Sequence, residues 1–252
     1  MRLTAKLETY LINNVEKSFN NGPSVIADIS LAIKKGQFIS IIGPSGCGKS
    51  TLLKLISGLT KPSSGQIYFP LQTSNIEIGY VFQDPTLLPW ATVYQNIELP
   101  FRIKKKAAAN QKKQVDEMLE MVGLHNYQNY YPRELSGGMR MRVSIARALA
   151  QKPDLLLLDE PFAALDEFTR EQLNKDLLNL WSEEKWTAVF VTHNIREAVF
   201  LSDRVIIMSE MPGRITADMP VPFARPRSLS LQHQHAFTDF CAKVSSEFLL
   251  HE

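Results

Sequence analysis

Eight residues constrain this chain more than any others: Gly43-Pro44-Ser45-Gly46-Cys47-Gly48-Lys49-Ser50, which fit the pattern G-x-x-x-x-G-K-[ST]. Such a loop has physical meaning between a buried strand and the start of a helix, and both flanks are present. Phe38-Ile39-Ser40-Ile41-Ile42 before it is a continuous apolar run, as a parallel strand covered on both faces requires. After it, Leu52, Leu53, Leu55, Ile56 and Leu59 fall at helical spacing within Ser50–Leu59. The glycines let backbone N–H groups turn inward around phosphates, and the loop opens a helix whose N-terminus carries partial positive charge. Lys49 is then expected to reach the β- and γ-phosphates of a nucleotide, and the Ser50 hydroxyl to hold Mg²⁺. Thr51 completes the nucleotide-binding stretch. The loop alone does not separate a kinase from a GTPase or a transport ATPase, which differ in what surrounds the γ-phosphate.

The rest of the 252 residues reads as an α/β fold around that loop. Tyr10–Val15 and Val25–Ile33 read as strands on either side of the turn signal Asn20-Asn21-Gly22-Pro23. Ile76–Gln83, Leu155–Asp159, Thr187–Thr192 and Arg204–Met208 read as further strands, with helical Arg170–Leu180 and Ile195–Leu201 between the last three. Strands alternating with helices imply a mainly parallel sheet. From about Trp90 to Leu149 strand signals vanish and charged helical sequence takes over, so residues 90–150 are expected to be a helical insertion. Residues 1–89 and 151–220 form the core in this reading. Pro220, Pro222 and Pro226 mark a linker, and Phe237, Phe240, Val244 and Phe248 lie on one face of a closing helix, so 221–252 is a linker and helix.

Leu155-Leu156-Leu157-Leu158-Asp159-Glu160-Pro161 is a hydrophobic strand ending in two acids. Ligands of such sheets bind at the carboxyl ends of the strands. Asp159 is expected to hold Mg²⁺, and Glu160, one residue off the strand, to polarise an attacking water.

Composition excludes several classes. Lys and Arg number 28 against 26 Asp and Glu, a net charge of +2, which is no nucleic-acid footprint. No apolar run approaches the roughly 18 residues a membrane-spanning helix needs, and Met1–Lys6 lacks the apolar core of a secretory signal. The two cysteines are Cys47, inside the phosphate loop, and Cys241; a reducing, cytosolic setting is expected.

Leu135-Ser136-Gly137-Gly138 is the discriminating segment. Ser136 is placed to cap a helix, and the two glycines expose N–H groups where the macrodipole attracts an anion. With its surroundings this segment resembles the signature of ATP-binding cassette (ABC) ATPases. The resemblance implies ATP and Mg²⁺ as ligands, a P-loop core with an antiparallel β subdomain near the N-terminus, and an inserted α-helical subdomain. It further implies a two-fold homodimer in which Leu135–Met139 of one subunit closes on the γ-phosphate held by the other. In family order, Phe19 matches the aromatic that stacks on adenine, and Gln83 the glutamine that senses Mg²⁺ and water. Asp166 matches the acid of the dimer-contact loop, and His193 the histidine that contacts the γ-phosphate. Met139 departs from the family's commoner Gln, which leaves the Ser and Gly donors in place.

Leu87–Val93, Ser136–Val143 and Ala224-Arg225-Pro226-Arg227 look like the nitrate, sulfonate and taurine importer branch, with importers of thiamine precursors sharing much of the pattern. The resemblance implies a subunit peripheral to the cytoplasmic face of the membrane. Its partners there are an integral membrane permease and a solute-binding protein, and no nucleic acid. The apolar loop Pro85, Leu87, Leu88, Pro89 and Trp90 is the expected permease contact. The basic run Arg102, Lys104, Lys105, Lys106, Lys112 and Lys113 reads as a solvated helix face.

Overall fold

The structure, a computed structural model, describes residues 9–20, 22–70, 76–104 and 108–250. Met1–Lys6, Asn21 of the expected turn, and Lys105 and Lys106 of the basic run lie outside the described residues. In chain order, β1 (Thr9–Ser18), β2 (Ser24–Lys34), β3 (Phe38–Ile42), α1 (Lys49–Ile56) and β4 (Ser64–Tyr68) come first. Next are β5 (Ile78–Val81), α2 (Val93–Ile103), α3 (Ala108–Met121), α4 (Gly137–Leu149), β6 (Leu155–Asp159) and α5 (Glu167–Glu184). The chain closes with β7 (Thr187–Val191), α6 (Ile195–Leu201), β8 (Arg204–Met208), β9 (Ile215–Pro220) and α7 (His235–Leu249). Glu77–Glu184 forms one compact unit, and the chain on either side of it forms another.

Two sheets build the first unit. β1 pairs antiparallel with β2 and with β4, in the order β2-β1-β4. Alternation along β2 sends Ile29, Leu31 and Ile33 inward and Asp28, Ser30 and Ala32 outward, the pattern of a sheet with one buried face. β1 is irregular at Asn14, whose backbone is left-handed (φ 47°) and whose side chain donates to Asp28 Oδ1 at 2.6 Å. In the second sheet β3 lies between β7 and β8, parallel to both, and β9 pairs antiparallel with β8. Every residue of β3 and β7 is buried, as their unbroken apolar runs demand.

In the second unit β5 and β6 pair in parallel. Residues 90–149 hold α2, α3 and α4 and, among the described residues, no strand. The core of these helices includes Ile97, Phe101, Val115, Leu119 and Val143. Thr92 starts α2 with a reciprocal capping box. Its Oγ1 accepts from Gln95 N at 3.3 Å, while Gln95 Oε1 accepts from Thr92 N at 2.9 Å.

Two strands escape the sequence reading. β4 is exposed at four of its five positions, and β9 carries Asp218 and ends on Pro220. Neither has the buried alternation that marks a strand from sequence, and each is an edge defined by its partner. β5 is also shorter than the expected Ile76–Gln83. The closing helix is present: Phe237 and Val244 are buried, and Phe240 and Phe248 half-buried.

Candidate functional site

The phosphate loop leaves the buried end of β3 and enters α1 at Lys49. Gly48 precedes the helix in the left-handed region (φ 102°), and no side chain caps the helix start. Gly46 is also left-handed (φ 80°), and a methyl group there would meet nothing within 4 Å. Its freedom serves backbone shape rather than packing. At Gly43 a Cβ would sit 2.8 Å from Cys47 Sγ, so the loop closes tightly on itself. Lys49 is only 5% exposed, and its Nζ donates to the carbonyls of Gly43 and Pro44, both at 2.8 Å. The ammonium is thereby held across the loop that bends around it.

His193 stands beside this loop. Gly43, Pro44, Ser45, His193 and Phe248 are among the residues lining one cleft of about 230 Å³. The turn that carries His193 is fixed on both sides. Thr192 Oγ1 donates to Glu197 Oε2 at 2.6 Å and accepts from Asn194 N at 3.0 Å. Asn194 Oδ1 in turn accepts from Glu197 N at 3.2 Å, capping α6. Phe19 lies just past β1, 46% exposed, with Lys17 Nζ 4.8 Å from its ring centre.

In the second unit the acids end β6. Asp159 is buried, and the Tyr80 hydroxyl donates to its Oδ2 at 3.3 Å. Burial raises the Tyr80 pKa, and the Asp159 charge adds to the rise, so this phenol stays protonated as a donor. Glu160 adopts a left-handed backbone (φ 44°), a conformation that costs a side-chain-bearing residue about 1–2 kcal/mol. Strain of this kind concentrates at functional positions. The β5–β6 register pairs Val81 with Leu158, so Gln83 and Glu160 each lie two residues beyond that pair. Gln83 is exposed. Asp159, Gln83 and, in the first unit, Ser50 all offer oxygen donors, the kind Mg²⁺ takes.

Ser136 caps α4 as expected, its Oγ accepting from Met139 N at 3.2 Å. Gly138 is pressed against the start of α5: a Cβ there would lie 2.8 Å from Thr169 Cγ2. Leu135 is buried, and its carbonyl accepts from Arg140 at 2.8 Å. Met139 is half-buried. Asp166 is exposed and caps α5, its Oδ1 accepting from Thr169 N at 3.0 Å. That backbone bond holds its carboxyl below the usual range. Leu135–Met139 and the Asp166 loop thus lie within one unit, where Gly138 meets the start of α5.

Three groups of functional interest were not visible from sequence. Tyr80 sits inside a strand pattern, and only the β5–β6 pairing places it on Asp159. Asn96, fully buried on α2, holds the apolar loop with its whole amide. Leu88 N donates to its Oδ1 at 2.8 Å, and its Nδ2 donates to the carbonyls of Leu88, Ala91 and Thr92 at 3.0–3.2 Å. Trp90, at the tip of that loop, is 74% exposed. Gly213, in the β8–β9 turn, backs the phosphate loop: a Cβ there would lie 2.1 Å from the Cys47 carbonyl oxygen. No helix among the described residues is long and apolar enough to cross a membrane.

Comparison with known proteins agrees with this geometry. A family model described as ABC transporter matches residues 26–163. The aliphatic sulfonates import ATP-binding protein SsuB of Bacillus licheniformis is 45% identical over 239 residues, covering 92% of this chain and 91% of that protein. The nitrate import ATP-binding protein NrtD of Synechococcus elongatus is 46% identical over 213 residues, covering 82% and 78%. Among solved structures, the dimeric ATP-binding cassette MJ0796 in a post-hydrolysis state with ADP and Pi is similar, with TM-score 0.74 and 34% identity. That match covers 85% of this chain and all of the other.

Proposed function

The chain belongs to the ABC transporter family, and from that premise we propose that it is the ATP-hydrolysing subunit of an importer for a small solute such as an aliphatic sulfonate, nitrate or taurine. It works as a homodimer on the cytoplasmic face of the membrane, bound to a separate permease that receives cargo from a solute-binding protein. The observation that carries the reading is identity of 45–46% to sulfonate and nitrate import subunits over most of both chains.

In this reading the first unit holds ATP. Phe19 stacks on adenine, Gly43–Thr51 cradles the phosphates, and Lys49 turns its ammonium from the loop carbonyls toward the β- and γ-oxygens. Ser50, Gln83 and Asp159 hold Mg²⁺, which supplies positive charge to the phosphates when bound. Glu160, poised by its strained backbone, accepts the proton of the attacking water, and His193 donates to the γ-phosphate. Ser136, Gly137 and Gly138 offer N–H and hydroxyl donors to the nucleotide of the partner subunit, with Leu135 and Met139 flanking them and Asp166 on the loop facing the partner. An isologous two-fold contact makes each subunit both holder and donor. Residues 90–150 act as the helical subdomain, and Pro85–Trp90 meets the permease.

Glu160→Gln tests the core of this reading, because it keeps shape and removes the base. The full-length variant is expected to bind ATP, to double its sedimenting mass when ATP is added, and to release phosphate at least about 10²-fold more slowly than the parent. Near-normal phosphate release would remove Glu160 from its role, and a mass unchanged by ATP would remove the sandwich dimer.

A further inference from the structure

α6 has only seven residues, too few to hold a helix by its own hydrogen bonds, yet it begins two residues after His193. Asn194 caps its start, and what closes its other end comes from the C-terminal segment. A helix leaves its last four carbonyls without intrahelical partners. Here Arg227 Nη1 donates to the carbonyls of Val199, Phe200 and Ser202 at 3.0, 2.9 and 2.8 Å. Arg225 Nη2 donates to the Leu201 carbonyl at 2.5 Å. The remaining terminal carbonyl, that of Ala198, accepts from Ser202 N at 3.1 Å. The two arginines of Ala224-Arg225-Pro226-Arg227 therefore close the end of α6.

The same segment grips α6 along its length and reaches the phosphate-loop strand. Arg196 on α6 donates to the Gln232 carbonyl at 2.7 Å, and its guanidinium lies 5.2 Å from the Phe237 ring centre. Arg225 Nε pairs with Asp203 Oδ1 at 2.7 Å, and Asp203 Oδ2 accepts from Phe38 N, the first residue of β3, at 2.9 Å. At the far end of α7, Phe248 lines the cleft shared by His193, Pro44 and Ser45.

We propose that residues 224–248 are a clamp that sets His193 against the phosphate loop, with Arg196, Arg225, Arg227 and Phe248 as positioning residues for ATP hydrolysis. This rests on the reading of His193 as the group that meets the γ-phosphate. A short helix held at its end, its flank and its mouth by one segment transmits any shift of that segment to His193. A displacement of about 1 Å at a reacting group lowers a rate by up to about 10²-fold.

Steady-state phosphate release by the full chain tests it, in His193→Ala, Arg196→Ala, Phe248→Ala and the two doubles with His193→Ala. Arg196→Ala and Phe248→Ala are each expected to lower kcat by about ten-fold while KM for ATP changes by less than about two-fold. Arg196→Lys, which keeps a cation over the Phe237 ring, is expected to regain most of the turnover. Each double is expected to be no slower than His193→Ala alone, because positioning has no effect once the positioned group is gone. Phe248 is half-buried at the edge of α7, so its variant carries the test if Arg196→Ala fails to fold. Normal kcat in Phe248→Ala, a raised KM with kcat kept, or losses that multiply in the doubles would each overturn the clamp. Full turnover in His193→Ala would instead overturn the role of His193 itself.

Discussion

Gly213 shows how one residue far from the loop in sequence governs its shape. Its N–H donates to the Val25 carbonyl at 2.9 Å and its carbonyl accepts from Ala27 N at 3.1 Å, so the backbone is pinned to β2. With no freedom to withdraw, an added methyl group meets the Cys47 carbonyl at 2.1 Å, and the phosphate loop is what yields. Overpacking of this kind costs about 1–3 kcal/mol. Gly213→Ala is therefore expected to weaken ATP binding by about ten-fold, measured by nucleotide titration of the full chain, with little change in the hydrolysis rate at saturating ATP. Unchanged affinity would mean the turn gives way and the loop does not. Nothing in the sequence marks this glycine, because its meaning is a contact across 166 positions between Cys47 and Gly213. The loop itself was legible because its eight residues are consecutive and both flanks are buried runs. Likewise Asp159 and Glu160 were legible from the strand they end, whereas the backbone strain at Glu160 and the Tyr80 bond to Asp159 arise only in the folded chain.

At the scale of elements, legibility follows burial. β3, β6 and β7 are buried at every position and were readable as strands. β4 and β9 lie at sheet edges, where pairing rather than side-chain pattern makes the strand. The apolar loop before α2 has a similar history. Its composition was conspicuous, but the reason it holds a shape is Asn96, a polar residue on the buried face of a helix. Four hydrogen bonds fix Leu88–Thr92 to that one amide. Arg147 on α4 adds a second hold, donating to the Pro85 and Thr86 carbonyls at 3.0 Å. Asn96→Ala strands buried backbone groups at a cost of about 1–3 kcal/mol each. If Pro85–Trp90 is the permease contact, this variant is expected to lose most co-purification with its membrane partner while nucleotide affinity stays within about two-fold of the parent, because the loop no longer keeps the preorganised shape the partner meets. Retained co-purification, with a lowered melting temperature as the sole effect, would place the contact elsewhere.

For the whole molecule the open quantity is cargo, and its chemistry lies outside this chain. ATP and the permease are the ligands the cassette meets in the proposed transporter. Net charge of +2 offers no strong field to gather an anion. Identity alone does not separate sulfonate from nitrate, being 45% and 46%, but the sulfonate relative matches 92% of this chain and the nitrate relative 82%. Either cargo fits the proposed importer, and growth separates the two. Deleting the gene is expected to abolish growth on an aliphatic sulfonate as sole sulfur source and to leave growth on sulfate intact. Reintroducing the parent chain restores growth, and reintroducing Glu160→Gln does not, because closure without hydrolysis cannot reset the transporter. That pairing matters physically: an ATPase acting at any other place would leave sulfonate growth untouched in both strains. Loss of growth on nitrate as sole nitrogen source, with sulfonate growth kept, would move the cargo to nitrate while preserving the hydrolytic role of Glu160.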